Sequence, residues 1–300
     1  MITVFTPTYN RGPLLNKLYE SLEQQEYKDF EWIIVDDGSI DETEIVVQGI
    51  KEKASFPIIY KKKKNEGKHI AINDGAKLAS GEWFFIVDSD DYLSKDALKT
   101  VNKYCSEIES DAAFAGVAGL RGSKDGEIWS QYLSDKTSRK MGTPDYFNKQ
   151  YVDADFVEYK YILRAEGDRA EVVRTDLLRQ NPFPKFNNER FLVESFLWIK
   201  IALAGYKFRW FNEIVYITEY RDDGLTKNIR QVYINNPIGA YHVSNLQLMC
   251  KNLPMDLRIR GVYRYYRYGR MAHVKIIDLW KKCNDKLFSP IGVALALIKR

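Results

Sequence analysis

The first hundred residues alternate four times between short apolar runs and amphipathic segments. The apolar runs predict strands at residues 2–5, 31–35, 58–60 and 83–87. The segments between them carry apolar residues at the three- and four-residue spacing of helices. Apolar strands that alternate with helices are typical of a parallel sheet covered on both faces. The pattern therefore predicts a doubly wound α/β sheet.

Each predicted strand is followed at its carboxyl end by polar residues. They are Thr8 and Tyr9, then Asp36 and Asp37, then Lys68 and His69, and finally Asp88, Ser89, Asp90 and Asp91. The carboxyl ends of parallel strands share one edge of a sheet. We therefore expect these groups to converge on one crevice.

The acidic run after the fourth strand is a candidate metal site. In extended chain Asp88 and Asp90 point to the same side, with the small Ser89 between them, which makes an Asp-x-Asp motif. Carboxylate oxygens suit Mg²⁺ or Mn²⁺. The alternative is an acidic turn in which Asp88 or Asp91 caps the following helix.

Several classes of protein are disfavoured. Neither Gly-x-Gly-x-x-Gly nor Gly-x-x-x-x-Gly-Lys-Ser/Thr occurs, which argues against a dinucleotide oxidoreductase and an NTPase. Three scattered cysteines predict a reducing compartment without disulfides, and three histidines argue against a His-based zinc site. The first strand follows Met1 directly and no long apolar run occurs, so we expect neither a signal peptide nor a membrane span.

Three motifs resemble family 2 glycosyltransferases with the GT-A fold, in that family's order and spacing. They are VFTPTYNR at 4–11, WIIVDDGSID at 32–41 and ASGEWFFIVDSDD at 79–91. The resemblance implies a Rossmann-like, mostly parallel, doubly wound sheet. We expect a glycosyltransferase domain at 1–225, with a nucleotide-sugar-binding half at 1–111 and an acceptor half at 112–225, and a basic helical region at 226–300.

The resemblance also implies roles for the residues at the strand ends. Tyr9 would stack on the nucleotide base, and Asp37, with Asp36 beside it, would hydrogen-bond that base. Asp88 would face the ribose and the sugar. Asp90 would hold a divalent cation, Mn²⁺ or Mg²⁺, that bridges the diphosphate.

One departure from the family concerns positive charge near the donor. Family members often read Ala-Arg-Asn in the helix after the third strand, whereas this chain has Ala71-Ile72-Asn73. Lys68 and His69, one turn earlier, are candidates for the missing charge. The alternative for Lys68 is a solvated basic loop that continues the lysines at 61–64.

A helix predicted at 187–205, with Gly205 as its stop, carries the candidate catalytic base. Aligning Trp198 and residues 204–206 with the family puts Glu194 where relatives have an aspartate. Either carboxylate can take a proton from a hydroxyl. Glu189 competes for the role, and both acids could instead be first-turn residues favoured by the helix dipole.

The implied function is inverting, metal-dependent transfer of a sugar from a nucleoside-diphosphate donor, such as a UDP-sugar, to a hydroxyl group. The acceptor would be a saccharide or a lipid-linked glycan in cell-surface polysaccharide or glycolipid biosynthesis. The alternative is a non-catalytic nucleotide-sugar-binding module that uses the same crevice with its base lost.

The middle of the chain is less legible. Residues 112–118 and 128–133 predict strands, and 119–126 predicts a turn-rich loop. Four aromatic residues are candidates either for sugar stacking or for the core: Trp129, Tyr132, Tyr146 and Tyr151. Arg221 lies in a loop that either closes over the donor phosphates or is internally salt-bridged.

The last fifty residues are basic, with twelve Lys/Arg against three Asp/Glu. Arginines alternate with tyrosines at 259–270, and a short apolar segment follows at 287–298. This pattern favours peripheral contact with an anionic membrane on its cytoplasmic face. A helical appendage packed on the body is the alternative. Basic-aromatic alternation also occurs in nucleic-acid binding, which we do not expect here.

Overall fold

The computed structural model describes residues 1–126, 149–165, 167–219 and 228–298. These residues form a nine-stranded sheet in the order β3-β2-β1-β4-β8-β6-β9-β5, with β7 paired to β9. The strands are β1 Ile2–Thr8, β2 Phe30–Asp36, β3 Ile58–Lys62, β4 Trp83–Ile86, β5 Tyr92–Leu93, β6 Phe114–Gly122, β7 Tyr151–Ala154, β8 Arg169–Arg174 and β9 Lys207–Ile217.

Helices connect the strands and form the C-terminal part. They are α1 Leu15–Glu23, α2 Thr43–Lys51, α3 Lys68–Leu78, α4 Ala97–Ile108, α5 Thr175–Gln180, α6 Ser195–Leu203, α7 Ile229–Asn235, α8 Pro237–Gln247, α9 Met255–Met271, α10 Ile276–Lys282 and α11 Ser289–Ile298. No described helix is long and apolar enough to cross a membrane.

Strand directions bring one edge of the sheet to the crevice. β1 to β4 are mutually parallel, β8 runs antiparallel to both β4 and β6, and β9 is parallel to β6. The carboxyl ends of β1, β2, β3, β4, β6 and β9 therefore lie at the same edge, where β8 begins. The predicted parallel arrangement of the first four strands is confirmed.

Both faces of the sheet are covered by apolar layers. Successive strand residues point to opposite faces, so Phe5 and Phe84 enter one layer while Val4 and Phe85 enter the other. Residues of α3, α5 and α6 complete the first layer, and those of α1, α2 and α4 complete the second. The sheet is doubly wound, as predicted.

Two predicted boundaries are wrong. The loop expected at 119–126 belongs to β6 as far as Gly122, because Gly119 lets Phe211 and Val215 pack where a Cβ would lie 2.5 Å from a Val215 methyl group. The helix expected from 187 begins only at Ser195. Its stop at Gly205 is confirmed by a φ of 90°.

Some predictions on the middle of the chain fall beyond the described ranges. The strand at 128–133, the aromatic residues Trp129, Tyr132 and Tyr146, and Arg221 all lie outside them. Tyr151 is described, at the start of β7. Its ring lies 4.0 Å from the Arg209 guanidinium and edge-on to Tyr104, so it packs against the body.

The C-terminal helices form a layer of their own, here called the helical layer (α7–α11). Their core is the cluster Leu248, Val262, Tyr265, Tyr266, Leu279, Cys283 and Ala296. The tyrosines of α9 that alternate with arginines are largely buried: Tyr265 and Tyr266 are each 1% exposed. The packing interpretation therefore holds for α9.

Candidate active site

The loop after β2 is held by Asp36. This residue is fully buried, and its carboxylate accepts hydrogen bonds from the Ser39 amide and the Tyr60 hydroxyl, both at 2.7 Å. Because both oxygens are engaged in the interior, Asp36 shapes the loop. The resemblance to the family had implied a place for Asp36 beside Asp37 at the nucleotide base.

Asp37 joins the loop after β2 to the start of α3. Its carboxylate accepts the Glu66 amide at 2.9 Å and the Gly67 amide at 2.7 Å, and Lys63 Nζ lies 2.9 Å away. Gly67 has a φ of 97°, and a Cβ there would lie 1.9 Å from the Arg190 carbonyl oxygen. Glycine is therefore required where these segments meet.

The end of β1 supplies an open aromatic face. Tyr9 is 45% exposed, whereas the neighbouring Thr8 is buried, with a hydroxyl that has no hydrogen-bond partner among the described residues. The side-chain oxygen of Asn10 accepts a hydrogen bond from the Ile40 backbone amide, and the backbone amide of Asn10 donates to Ser39 Oγ. The loops after β1 and β2 are thus tied together beside Tyr9.

The acidic turn after β4 lies at the centre of the crevice. Lys68 Nζ, at the first residue of α3, lies 2.5 Å from Asp88 and 2.6 Å from Glu194. Arg11 pairs with Asp90 at 2.7 Å, and Ser89 is buried between the two aspartates. Residues far apart in sequence are thereby brought together at one point.

The capping alternative for this turn is wrong. Helix α4 begins at Ala97 with Asp96 at its N-cap, so neither Asp88 nor Asp91 caps it. The alternative of a solvated loop also fails for Lys68, whose ammonium joins two carboxylates. Burial opposes the charged forms, but their mutual attraction raises the pKa of Lys68 and lowers that of Asp88, so both stay charged.

Two residues that sequence reasoning missed, Tyr216 and Arg121, support the turn. The Tyr216 hydroxyl accepts the Asp88 amide at 2.9 Å and donates to Asp91 at 2.8 Å. The Arg121 guanidinium lies 4.2 Å from the centre of the Tyr216 ring. Burial, with Asp88 nearby, raises the pKa of Asp91 to about 7. Arg121 was hidden in the segment predicted as a loop.

The two candidate bases have different surroundings. Glu189 is buried and accepts the Ile238 amide at 2.6 Å and the Gly239 amide at 2.7 Å, so it satisfies the N-terminus of α8. Glu194 precedes α6, its side chain is 23% exposed, and it faces Lys68. Neither residue lies in the first turn of α6, because the helix begins at Ser195 and Glu194 is its N-cap.

A further acid, Glu171, lies on the Glu194 side of the sheet. It shares a face of β8 with Val173, whose layer is completed by α6. Burial raises the pKa of Glu171 to about 7, an effect that Glu194 reinforces and Arg121 opposes. Glu171 lies in the short antiparallel strand β8, outside every sequence motif, so the sequence alone did not mark it as a site residue.

The acidic turn matches a divalent-cation site in which the protein supplies only two carboxylates. Among the described residues, no group of three or more His, Cys, Asp or Glu side chains could hold a metal ion. Asp88 and Asp90 nevertheless offer hard oxygen ligands from one turn. Two carboxylates suit sites in which Mg²⁺ or Mn²⁺ completes its coordination with water and substrate phosphates.

The fold and the crevice together define an α/β protein of the GT-A type, with its ligand groups at the carboxyl edge of a parallel sheet. The sequence agrees, since residues 3–168 match glycosyl transferase family 2. The chain therefore belongs to this family of glycosyltransferases.

Relatives with assigned activities resemble the chain over most of its length. The GalNAc(5)-diNAcBac-PP-undecaprenol beta-1,3-glucosyltransferase of Campylobacter jejuni is 26% identical, over 98% of this chain and 89% of its own. The poly(ribitol-phosphate) beta-glucosyltransferase of Bacillus spizizenii is 32% identical over 92% of this chain. The chain covers 42% of that second enzyme.

Solved structures show the same fold. Residues 1–349 of Staphylococcus aureus TarS, in complex with UDP-GlcNAc, are 18% identical with a TM-score of 0.58, over 98% of this chain and 90% of that one. The mannosyltransferase PcManGT of Pyrobaculum calidifontis, in complex with GDP-Man and Mn²⁺, is 18% identical with a TM-score of 0.60, over 99% and 86%. At this identity the likeness concerns the fold alone.

Proposed function

We propose that this enzyme transfers a sugar, with inversion, from a nucleoside-diphosphate sugar to a hydroxyl group of a saccharide or lipid-linked acceptor. The observation that carries the proposal is the Lys68 ammonium, which lies within 2.6 Å of both Asp88 and Glu194. A donor-side acid and a candidate base therefore face the same small volume. The named relatives act on undecaprenol-diphosphate glycans and poly(ribitol phosphate), which supports a role in cell-surface polysaccharide or glycolipid biosynthesis.

The donor half of the site would be built by residues 1–111. The exposed ring of Tyr9 offers a face for the base, because aromatic rings stack on nucleobases irrespective of sequence. Asp37 and the amides around Gly67 would border the base, while Asp36 holds their loop. A UDP-sugar is the donor we favour, since TarS binds UDP-GlcNAc on the same fold.

Asp90, with Asp88, would hold Mn²⁺ or Mg²⁺. When bound, such a cation neutralises the charge that builds on the departing nucleoside diphosphate. Arg11 pairs with Asp90 and Lys68 with Asp88, so both carboxylates are held at the crevice by cationic neighbours. Lys68 lowers the pKa of Asp88 against the opposing effect of burial, so this carboxylate stays ionised for ligand binding.

Glu194 is the general base in this proposal. It takes the proton of the acceptor hydroxyl as that oxygen attacks the anomeric carbon, opposite the leaving group. The bond from the anomeric carbon to the diphosphate oxygen breaks, and the nucleoside diphosphate leaves with the electron pair. The acceptor half, 112–225, would present the hydroxyl to Glu194. Glu189 is excluded from this role in the proposal because the α8 amides occupy its carboxylate.

Membrane association belongs to the same proposal. A lipid-linked acceptor would place the enzyme on the inner face of the cytoplasmic membrane. The basic excess of residues 251–300 supports contact with anionic lipids there, because each Lys or Arg close to such a surface adds about 1 kcal/mol of attraction.

A binding screen tests the donor site. Thermal unfolding would be followed with a panel of nucleoside diphosphates, each with and without Mn²⁺. We expect UDP with Mn²⁺ to stabilise the protein by about 2.7 kcal/mol at a hundredfold excess over Kd. Tyr9→Ala should weaken this effect. If no nucleoside diphosphate shifts the transition, with or without Mn²⁺, the donor site is not where we place it.

A further inference from the structure

The outer face of α11 is apolar from one end to the other. The exposed residues of this helix are Pro290, Ile291, Ala294, Leu297 and Ile298, at the spacing of a single helical stripe. Ser289, Gly292 and Ala296 face inward. Surface helices of globular proteins normally carry polar residues on the outer side. This helix instead exposes apolar side chains to water, which is typical of a binding surface.

Helix α10 also exposes apolar side chains on the side away from the helical layer's core. Leu279 of α10 and Ala296 of α11 belong to one buried cluster, so the opposite sides of the two helices both point away from it. On α10 those exposed residues are Ile276, Ile277 and Trp280, and Leu287 in the connection is 72% exposed. Seven of the sixteen exposed large hydrophobic side chains in the described ranges fall between 276 and 298, so the exposure is concentrated in one short stretch of the chain.

Basic side chains accompany the apolar ones. Lys275, Lys281, Lys282 and Lys286 are all exposed within or beside α10. The nearby carboxylate of Asp285 is buried and bound by Arg258 at 2.7 Å, so it is not available to neutralise them. Asp278 of α10 is partly exposed, so four exposed lysines face one accessible acid, and the exposed apolar residues are accompanied by net positive charge.

We propose that the outer sides of α10 and α11, with Leu287, form a docking face for an anionic lipid bilayer. The proposal rests on the proposed function and identifies the part of the tail that touches lipid. The isoleucines and leucines enter the headgroup boundary, the lysines meet lipid phosphates, and Trp280 suits the interface with its apolar ring and polar N–H.

The dimensions and the chemistry favour a bilayer surface as the occupant. Helix α11 has ten residues, about 15 Å, which is half the thickness of the hydrocarbon core. It can lie in the interface and cannot cross it. The arginine-tyrosine helix α9, first expected to touch lipid, lies beneath and supports this face through Val262 and Tyr266.

Vesicle co-sedimentation of the full chain tests the face without any need for turnover. We expect binding to phosphatidylglycerol–phosphatidylcholine vesicles at low salt and little binding to phosphatidylcholine alone. Ile291→Glu and Leu297→Glu should each lower the partition coefficient about tenfold or more. Ile45→Glu, at a site 75% exposed on α2, is the matched control and should bind as the wild type does.

A second pair of measurements guards against a misfolded variant. Lys281→Gln and Lys282→Gln keep the apolar face and should each weaken binding about fivefold. Brominated lipid should quench the fluorescence of Trp280, because the other described tryptophans are buried. Trp280→Phe should remove that quenching.

The outcomes distinguish a lipid bilayer from a second copy of the chain as the partner that covers this face. Equal binding to anionic and neutral vesicles, or full binding by both glutamate variants, would overturn the proposal. A dimer that Leu297→Glu converts to monomer, with no vesicle binding by the wild type, would show that a second copy covers the face and would equally overturn it. Nucleoside-diphosphate stabilisation of each variant reports separately on the donor site, so the two proposals fail independently.

Discussion

The crevice at the carboxyl edge of the sheet and the helical layer differ in how well the sequence predicts where residues lie in space. In the crevice, short polar motifs after successive strands arrive at one edge because the strands are parallel. In the helical layer, α9 alternates arginines with tyrosines, a pattern that fits both membrane contact and packing on the body, and Tyr265 and Tyr266 are buried. A parallel sheet fixes which end carries ligands, whereas an amphipathic helix does not reveal which neighbour will cover it.

Polar partners explain why the tyrosines of α9 can be buried. The Tyr265 hydroxyl donates to the Leu279 carbonyl oxygen at 2.9 Å, and Tyr266 shares a hydrogen bond with Ser289. Burying a hydroxyl without a partner would cost about 1–3 kcal/mol, so these contacts make the burial tolerable. Both partners lie outside α9, so the sequence of α9 alone does not predict these hydrogen bonds.

The largest expected difference between the two regions is in turnover. Asp90→Asn should lower kcat by about 10³-fold or more, because a catalytic divalent cation contributes several kcal/mol of charge stabilisation. The same change should remove the stabilisation given by UDP with Mn²⁺. Asp278→Asn, in α10 of the helical layer, is the control and should leave both measurements unchanged. Undiminished wild-type activity in excess chelator would contradict the role of Asp90.

Core truncations should sharpen the contrast through stability. Phe84→Ala, in the strand before the acidic turn, should cost about 3–5 kcal/mol, and Leu279→Ala in the helical layer about 2–5 kcal/mol. Only Phe84→Ala should also weaken the thermal shift given by UDP with Mn²⁺, because Phe84 stacks on Phe5 under the crevice. Equal loss of that shift in Leu279→Ala would show that the two regions are coupled.

Two histidines provide a smaller, pH-dependent contrast. Burial lowers the pKa of His69 to about 4, whereas the unfolded chain binds the proton near 6.5. The neutral His69 therefore contributes fully to the free energy of unfolding above pH 6.5. As the pH falls from 6.5 to about 4, this contribution is lost, and the loss is about 3 kcal/mol at most. Burial lowers the pKa of His242 as well, but that residue is exposed and should matter less.

Urea unfolding between pH 7 and 4 measures this effect. His69→Phe should flatten the pH dependence of the unfolding free energy, since phenylalanine can keep the edge contact with Phe183 but takes no proton. His242→Phe should change it less. A wild-type slope retained in His69→Phe would mean that His69 is not protonated more easily in the unfolded chain.

The sequence predicted the parts of the molecule that depend on local pattern. The four parallel strands, the acidic turn at Asp88 and Asp90, and the stop at Gly205 follow from apolar runs, acids and glycine. It missed Arg121 and Tyr216, because they reach the site from strands paired across long sequence distances. It also extended the helix of Glu194 too far, since Glu189 binds amides of α8 that no local rule could locate.

The most direct test of the account compares Glu194→Gln with Glu189→Gln in turnover of nucleotide sugars with Mn²⁺. Glu194→Gln keeps the shape but accepts no proton, so kcat should fall by about 10²–10⁴ with donor binding almost unchanged. Glu189→Gln should keep its rate and lose stability, because it weakens the contacts with the Ile238 and Gly239 amides. Full activity in Glu194→Gln, or loss of activity in a folded Glu189→Gln, would contradict the assignment of Glu194 as the catalytic base.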